Sequence, residues 1–138
     1  MTVSSVAGFE FVGLHCGIKK SGAMDLGLIV ASTPVACAGV YTTNQIVAAP
    51  VTQSRQRLAQ TGLAQAIIVN SGNANACTGD RGEQDSRRMA EALSEKLDCC
   101  VEHIQVCSTG VIGAPLPMER LEKGIQSCVS SLHPAHFN

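Results

Sequence analysis

Residues 66–85 read AIIVNSGNANACTGDRGEQD. The stretch opens on an apolar run of strand length and passes into a loop of Asn, Ser, Gly and Ala. Asn70, Asn73 and Asn75 can bond their own backbone in Asx turns and tolerate left-handed conformations. Gly72 and Gly79 adopt such conformations without strain. A helix is expected next, over 82–97. Asp80 and Glu83 have the spacing of a capping box. Met89, Leu93 and Leu97 recur at i, i+4 and i+8 with Ala90 beside them, while Arg87, Arg88, Glu91 and Glu95 decorate the remaining surface. Strand, polar loop and amphipathic helix in that order make the unit of an α/β fold, with helices packed on a sheet.

Downstream, 104–107 reads as another strand, and it runs into VCSTGVIGAPLP at 106–117. It ends at Ser108-Thr109-Gly110, and Pro115 and Pro117 stiffen the exit. A turn alone needs only Gly or Asn. A hydroxyl pair and a glycine also suit a loop that presents a hydroxyl and a backbone N–H to a reacting atom. The oxyanion of a tetrahedral acyl-transfer intermediate requires such preorganised donors. Glycine, lacking a side chain, lets substrate approach closely. By itself the tripeptide fits either reading. A second helix is expected over 118–131, where Leu121, Ile125, Cys128 and Leu132 fall at helical intervals and Pro117 suits a first turn. Gly124 weakens it by about 1 kcal/mol relative to Ala. Pro134 stops the helix, and no closing strand is expected after it.

Upstream, 8–12 and 14–18 alternate apolar with polar or small residues, the period of a half-buried strand. Lys19 to Gly22 form a polar turn without the glycine spacing of a phosphate-binding loop. Runs at 26–31 and 35–41 are nearly continuous in apolar residues and are separated by Ser32-Thr33-Pro34. These read as further strands.

The 138 residues suit one domain, and 45% hydrophobic with 15% charged residues places the chain in the globular class. A net charge of −1 leaves no electrostatic footprint for nucleic acid or an anionic membrane, and with no Trp, one Tyr and three Phe no base-stacking platform is expected. The N-terminal MTVSSVAGFEF lacks a basic region followed by an apolar stretch. No apolar run approaches the ~20 residues of a membrane span. The expectation is a cytoplasmic protein.

Cys16, Cys37, Cys77, Cys99, Cys100, Cys107 and Cys128 are odd in number and form no CxxC. They read as free thiols used as small buried hydrophobes. Cys99, Cys100, His103 and Cys107 lack the paired spacing of zinc sites, so no metal is expected. Two other chemistries stay open for the 70–79 loop. Dinucleotide binding would use a Gly-rich strand-to-helix loop, but Gly72 is followed at two and five positions by Ala74 and Cys77 rather than glycines. Cys77 near a helix N-terminus could serve as a nucleophile. It would need a base, and His15, His103, His133 and His136 are scattered along the chain.

GIKKSGAMDLGLIV, AGVYTTNQIVAAPV, AIIVNSGNANACTGDRGEQD and CSTGVIGAPLPMERLEKGI occur in that order. Together they resemble the N-terminal part of the ornithine acetyltransferase family, the bifunctional glutamate N-acetyltransferases of arginine biosynthesis. The resemblance covers roughly residues 8–125, and NSGNANACTG and STGVIG are its most specific motifs. It implies a layered α/β fold, two β-sheets between helices (αββα), to which this chain contributes the N-terminal part. Missing strands would leave sheet edges open.

The resemblance also implies an enzyme that cleaves itself before an internal threonine into α and β chains. The freed threonine would take acetyl from N-acetylornithine and pass it to glutamate, within an α2β2 heterotetramer and without a cofactor. Its oxyanion hole maps onto Thr109 and Gly110. No threonine of this chain lies in the cleavage context, so the nucleophile is expected on the β chain. Residues 1–138 are then expected to be one incomplete α-chain segment, inactive alone. A catalytically silent structural or binding module of the same fold is the other reading, and an independent nucleotide-binding protein a third.

Overall fold

The computed structural model describes residues 6–134. His136 and the first five residues, on which the reading of the N-terminus partly rests, lie outside that range. Strands β1 (Phe9–Leu14) and β2 (Leu26–Ala36) precede helix α1 (Ala49–Thr61). Then come β3 (Leu63–Asn73), α2 (Gly79–Leu97), β4 (Ile104–Val111), α3 (Met118–Ser130) and the two-residue β5 (His133–Pro134). One sheet results, in the order β4-β3-β2-β1-β5. Among the described residues only β3 and β4 run parallel, with α2 as their crossover; the other pairs are antiparallel.

The α/β class and the strand–loop–helix unit are as the sequence implies. Leu28, Ile68 and Val106 stand side by side across three strands. They pack against Met89 and Leu93 of α2 and Leu121 and Ile125 of α3, all at most 2% exposed. These are the apolar stripes of the sequence, removed from water at about 25 cal/mol per Å². Gly124 has a packing reason. A Cβ there would come 2.6 Å from Cys16 Cβ and 2.8 Å from Leu26 Cδ2, so glycine lets α3 approach the sheet.

Several local expectations change. The runs 26–31 and 35–41 are not two strands: β2 is continuous to Ala36, with a register shift between Val30 and Val35. Pro34 falls within that irregularity, where a missing N–H is tolerated. Of residues 14–18 only Leu14 lies in a strand, as the last residue of β1, and 15–18 are a loop beyond its end. A closing strand does exist, for His133 and Pro134 pair with Phe11 and Glu10. The capping box does not form: α2 is preceded by Thr78 without a side-chain cap, and Glu83 accepts from Gln53 Nε2 instead.

Helix α1 has no counterpart in the sequence reading. Pro50 occupies its first turn and Gly62, at φ 64°, ends it. Its buried residues are Ala49, Pro50, Gln53 and Ser54, so no apolar stripe announces it. The polarity has a purpose. β4 is an edge strand, and Ser54 Oγ donates to Val106 O (3.2 Å) while Arg57 Nη1 donates to Ile104 O (3.1 Å). The edge expected to lie open is thus covered along 104–106 by side-chain donors.

The expected second sheet is not among the described residues, which hold one sheet. Helices α2 and α3 cover one of its faces. On the other face Phe9, Phe11, Ile29, Ile67 and Val69 are only half-buried.

Candidate functional site

The two motifs that dominate the sequence meet at one corner of the sheet. In parallel register Asn70 faces Ser108, Ser71 faces Thr109 and Gly72 faces Gly110. Alternation along β4 turns Ser108 toward the helices and Thr109 toward the open face. Ser108 Oγ accordingly donates to Asn70 Oδ1 in the interior. Thr109 is exposed, and its hydroxyl has no hydrogen-bond partner among the described residues.

Gly110 adopts φ 134°, and a Cβ on it would lie 2.3 Å from Gly72 C and 2.4 Å from Asn73 N. No other residue fits so close to the neighbouring main chain. The strand end is therefore pressed against β3, and its peptide groups have little freedom to turn.

Three buried asparagines lace the corner together. Asn70 Nδ2 donates to Asn73 O (2.9 Å). Asn73 Nδ2 donates to Ala114 O and Pro115 O (both 3.0 Å), and its Oδ1 accepts from Asn75 N (2.8 Å). Asn75, left-handed at φ 48°, donates to Gly82 O and accepts from Thr78 Oγ1, each 2.8 Å. Main-chain bonds Ala74 N to Val111 O (2.9 Å) and Gly113 N to Ala76 O (2.8 Å) join the two loops directly. The asparagine amides are consumed internally, which removes them as donors to a dinucleotide. Cys77 is exposed at φ 55°, and no histidine hydrogen-bonds it among the described residues.

Sequence reasoning missed Asp25. Its carboxylate, 2% exposed, accepts from the N–H groups of Cys16 (2.6 Å), Ile18 (2.7 Å) and Lys19 (2.8 Å), with His15 Nδ1 3.1 Å away. Burial alone would push this carboxyl up. The main-chain donors and the Cys16 thiol outweigh it and hold Asp25 down at about 2. Ser71 N donates to Asp25 O (2.8 Å), and the Ile18 and Lys19 side chains fill the space above Gly72. The 15–19 loop is thereby a buttress behind β3, opposite Gly110. A single Asp in GAMDLG carries no spacing that would have revealed it.

All seven cysteines are free, but only part of the buried-hydrophobe expectation holds. Cys128 is buried, and burial pushes its thiol up to about 11. Burial and the Asp25 carboxylate push Cys16 up to about 12. Cys77, Cys100 and Cys107 are exposed. Cys107 follows from alternation onto the open face, and the Cys100 thiol donates to Glu102 Oε2 (2.7 Å). Among the described residues no three of His, Cys, Asp and Glu converge as metal ligands. No helix among them is long and apolar enough to cross a membrane.

Fold and corner together define a mixed α/β protein that leaves a threonine hydroxyl free at a strand end, among the described residues, beside a main chain held close at Gly110. The chain belongs to the ArgJ family, whose profile matches residues 10–137. It is 49% identical over 131 residues to the arginine biosynthesis bifunctional protein ArgJ of Geobacter sulfurreducens, covering 95% of this chain and 33% of that protein. With the protein of the same name from Bacillus cereus it shares 52% over 122 residues, 88% of this chain and 30% of that one. The chain thus spans about a third of the length of these relatives.

Its fold matches the ornithine acetyltransferase of Mycobacterium tuberculosis, solved in complex with ornithine, at TM-score 0.90 and 44% identity. That match covers 94% of this chain and 69% of that one. The ArgJ protein of Bacillus halodurans matches at TM-score 0.85 and 41% identity, covering 91% and 69%.

Proposed function

We propose that this chain is the N-terminal, α-side part of an enzyme that moves acetyl from N-acetylornithine to glutamate in arginine biosynthesis, and that Thr109 and Gly110 are its oxyanion hole. The observation that carries the proposal is the Thr109 hydroxyl, exposed and unpartnered among the described residues, beside a Gly110 whose main chain is wedged against β3. Donors fixed before the reaction stabilise developing charge without reorganising.

In this reading a threonine on the β chain attacks the acetamide carbonyl of N-acetylornithine. The carbonyl oxygen becomes an oxyanion facing Thr109 Oγ1–H and the Gly110 N–H. Collapse expels ornithine as its amine and leaves acetyl on the threonine. The glutamate amine then attacks that ester, the oxyanion forms again at the same donors, and N-acetylglutamate leaves. Acyl transfer by this route requires no cofactor and no metal.

The partners follow from the same reading: a β chain carrying the nucleophile, an α2β2 assembly, a cytoplasmic setting, and no activity in residues 1–138 alone. Support for two chains comes from coverage. The stretch that spans about a third of the full-length relatives spans 69% of the solved chains, which are therefore much shorter. The half-buried apolar face of the sheet, and Val111 and Ile112 at 62% and 65% exposed beside Thr109, suit contact with further polypeptide.

The test is steady-state acetyl transfer by the complete, fully processed enzyme, with uncleaved precursor quantified separately. Thr109→Ser should retain most of the rate, because a hydroxyl survives on the same carbon. Thr109→Ala should lower kcat by about 10²–10³ with KM little changed. Equal, small losses in Thr109→Ala and Ser108→Ala would reduce the corner to an ordinary turn and favour the silent module.

A further inference from the structure

We infer that Asn70 is a positioning residue for the oxyanion hole: its side-chain amide brackets the 108–115 arc and so aims the Thr109 hydroxyl and the Gly110 N–H. The inference rests on the oxyanion-hole reading given above. Asn70 is fully buried on the helix side of the sheet.

Its two amide atoms do different work. Oδ1 accepts from Ser108, the residue immediately before Thr109. Nδ2 donates to the carbonyl of Asn73, whose own Nδ2 donates to Ala114 O and Pro115 O. One end of the amide therefore holds the arc where it enters the corner, and the other holds it, through Asn73, where it leaves. The orientation of the amide is unambiguous, since a carbonyl can only accept and must face Nδ2. Between the two anchors lie Thr109, with an unpartnered hydroxyl, and Gly110, with no room to shift toward β3.

The chemistry requires such a bracket. An exposed strand end would otherwise fluctuate, and donors displaced by about 1 Å lose on the order of 10²-fold in rate. Ser108 and Thr109 alternate faces, so anchoring one fixes the outward direction of the other. Asn70 is also the residue at which β3 passes from its apolar run into its polar last residues. The same side chain therefore closes the core and aligns the site.

Asn70→Asp tests this in the complete, processed enzyme because it preserves shape and exchanges the Nδ2 donor for an oxygen. As a carboxylate it repels the Asn73 carbonyl; once protonated, it donates to that carbonyl and restores the bracket. Near pH 8 kcat should fall by about 10- to 100-fold with KM changed little. It should recover as pH is lowered, through an ionisation absent from the parent profile.

The decisive measurement is a double-mutant cycle with Thr109→Ala. If Asn70 acts through the hole, Asn70→Asp should cost less than about twofold in the Thr109→Ala background. The same cost in both backgrounds would make Asn70 merely structural and overturn the inference. No loss from Thr109→Ala alone would instead overturn the oxyanion-hole reading. Should Asn70→Asp fail to fold or to process, Ser108→Ala removes the other bond of the same amide, the one Ser108 Oγ donates to Asn70 Oδ1. Its milder loss, about three- to tenfold, should likewise vanish in the Thr109→Ala background; additivity there would count against the bracket just as directly.

Discussion

The two halves of β4 live under opposite conditions. Ile104, Gln105 and Val106 are buried, and α1 covers their free edge with the Ser54 hydroxyl and the Arg57 guanidinium. From Cys107 onward the strand emerges, and Thr109, Gly110 and Val111 are exposed. Within one strand the chain changes from a segment whose Ile104 and Val106 edge carbonyls are hydrogen-bonded to one that leaves a hydroxyl free among the described residues. Packing holds the first half. The second half is held by register with β3, by the asparagine lacing and by the close approach at Gly110. Stability and site geometry are thereby carried by different bonds, and substitutions should separate them.

The largest separation is expected at Ile104 and Thr109. Ile104 is fully buried, so Ile104→Ala should cost about 2–5 kcal/mol in urea unfolding while the folded fraction keeps its kcat. Thr109→Ala should do the reverse. Its loss of 10²–10³ in kcat corresponds to about 3–4 kcal/mol of transition-state stabilisation, with folding stability within about 0.5 kcal/mol of the parent. A Thr109→Ala variant that unfolded as readily as Ile104→Ala would erase the division between the halves.

A smaller effect should come from the buttress behind the exposed half. Folding lowers the Asp25 pKa from 3.8 to about 2. The carboxylate therefore contributes stability above pH 3.8 that is lost as pH falls through about 2. That contribution is on the order of 2 kcal/mol. Unfolding free energy followed by urea titration from pH 5 to 2 should fall in the parent, and fall less in Asp25→Asn, which is already weaker at pH 5. Identical acid profiles would place the titration elsewhere.

The smallest effect belongs to the covered edge. Ser54→Ala removes the donor to Val106 O and should cost about 1 kcal/mol, read as a lower urea midpoint with unchanged kcat. A loss of activity without a loss of stability would mean that the two halves of the strand communicate.

The contrast between the halves also shows where sequence reading succeeds. Strand β3, the loop after it, α2, β4 and α3 were legible because their buried faces are apolar at regular spacing. Helix α1 was not, since the side it buries is Ala49, Pro50, Gln53 and Ser54, which makes no apolar stripe and includes Ser54 bonded to the β4 edge. The apparent capping box at Asp80 and Glu83 misled for a related reason: Glu83 is engaged by Gln53 of α1, a helix that the periodicity did not reveal. Thr109 and Gly110 were legible as a motif, and the outward turn of Thr109 followed from strand alternation.

By itself the sequence determined the α/β class, the apolar stripes of α2 and α3, and the order of motifs that marks the family, because these are written in local composition and spacing. Tertiary structure alone decided that NSGN and STG lie side by side, that Gly110 must be glycine because Gly72 and Asn73 press against it, and that Asp25 braces the corner from the far side. The physical reason is distance along the chain. Hydrogen bonds such as Ser108 to Asn70 and Ser54 to Val106 join residues far apart in sequence, and a side chain's partner across a strand pair leaves no periodic trace in either strand.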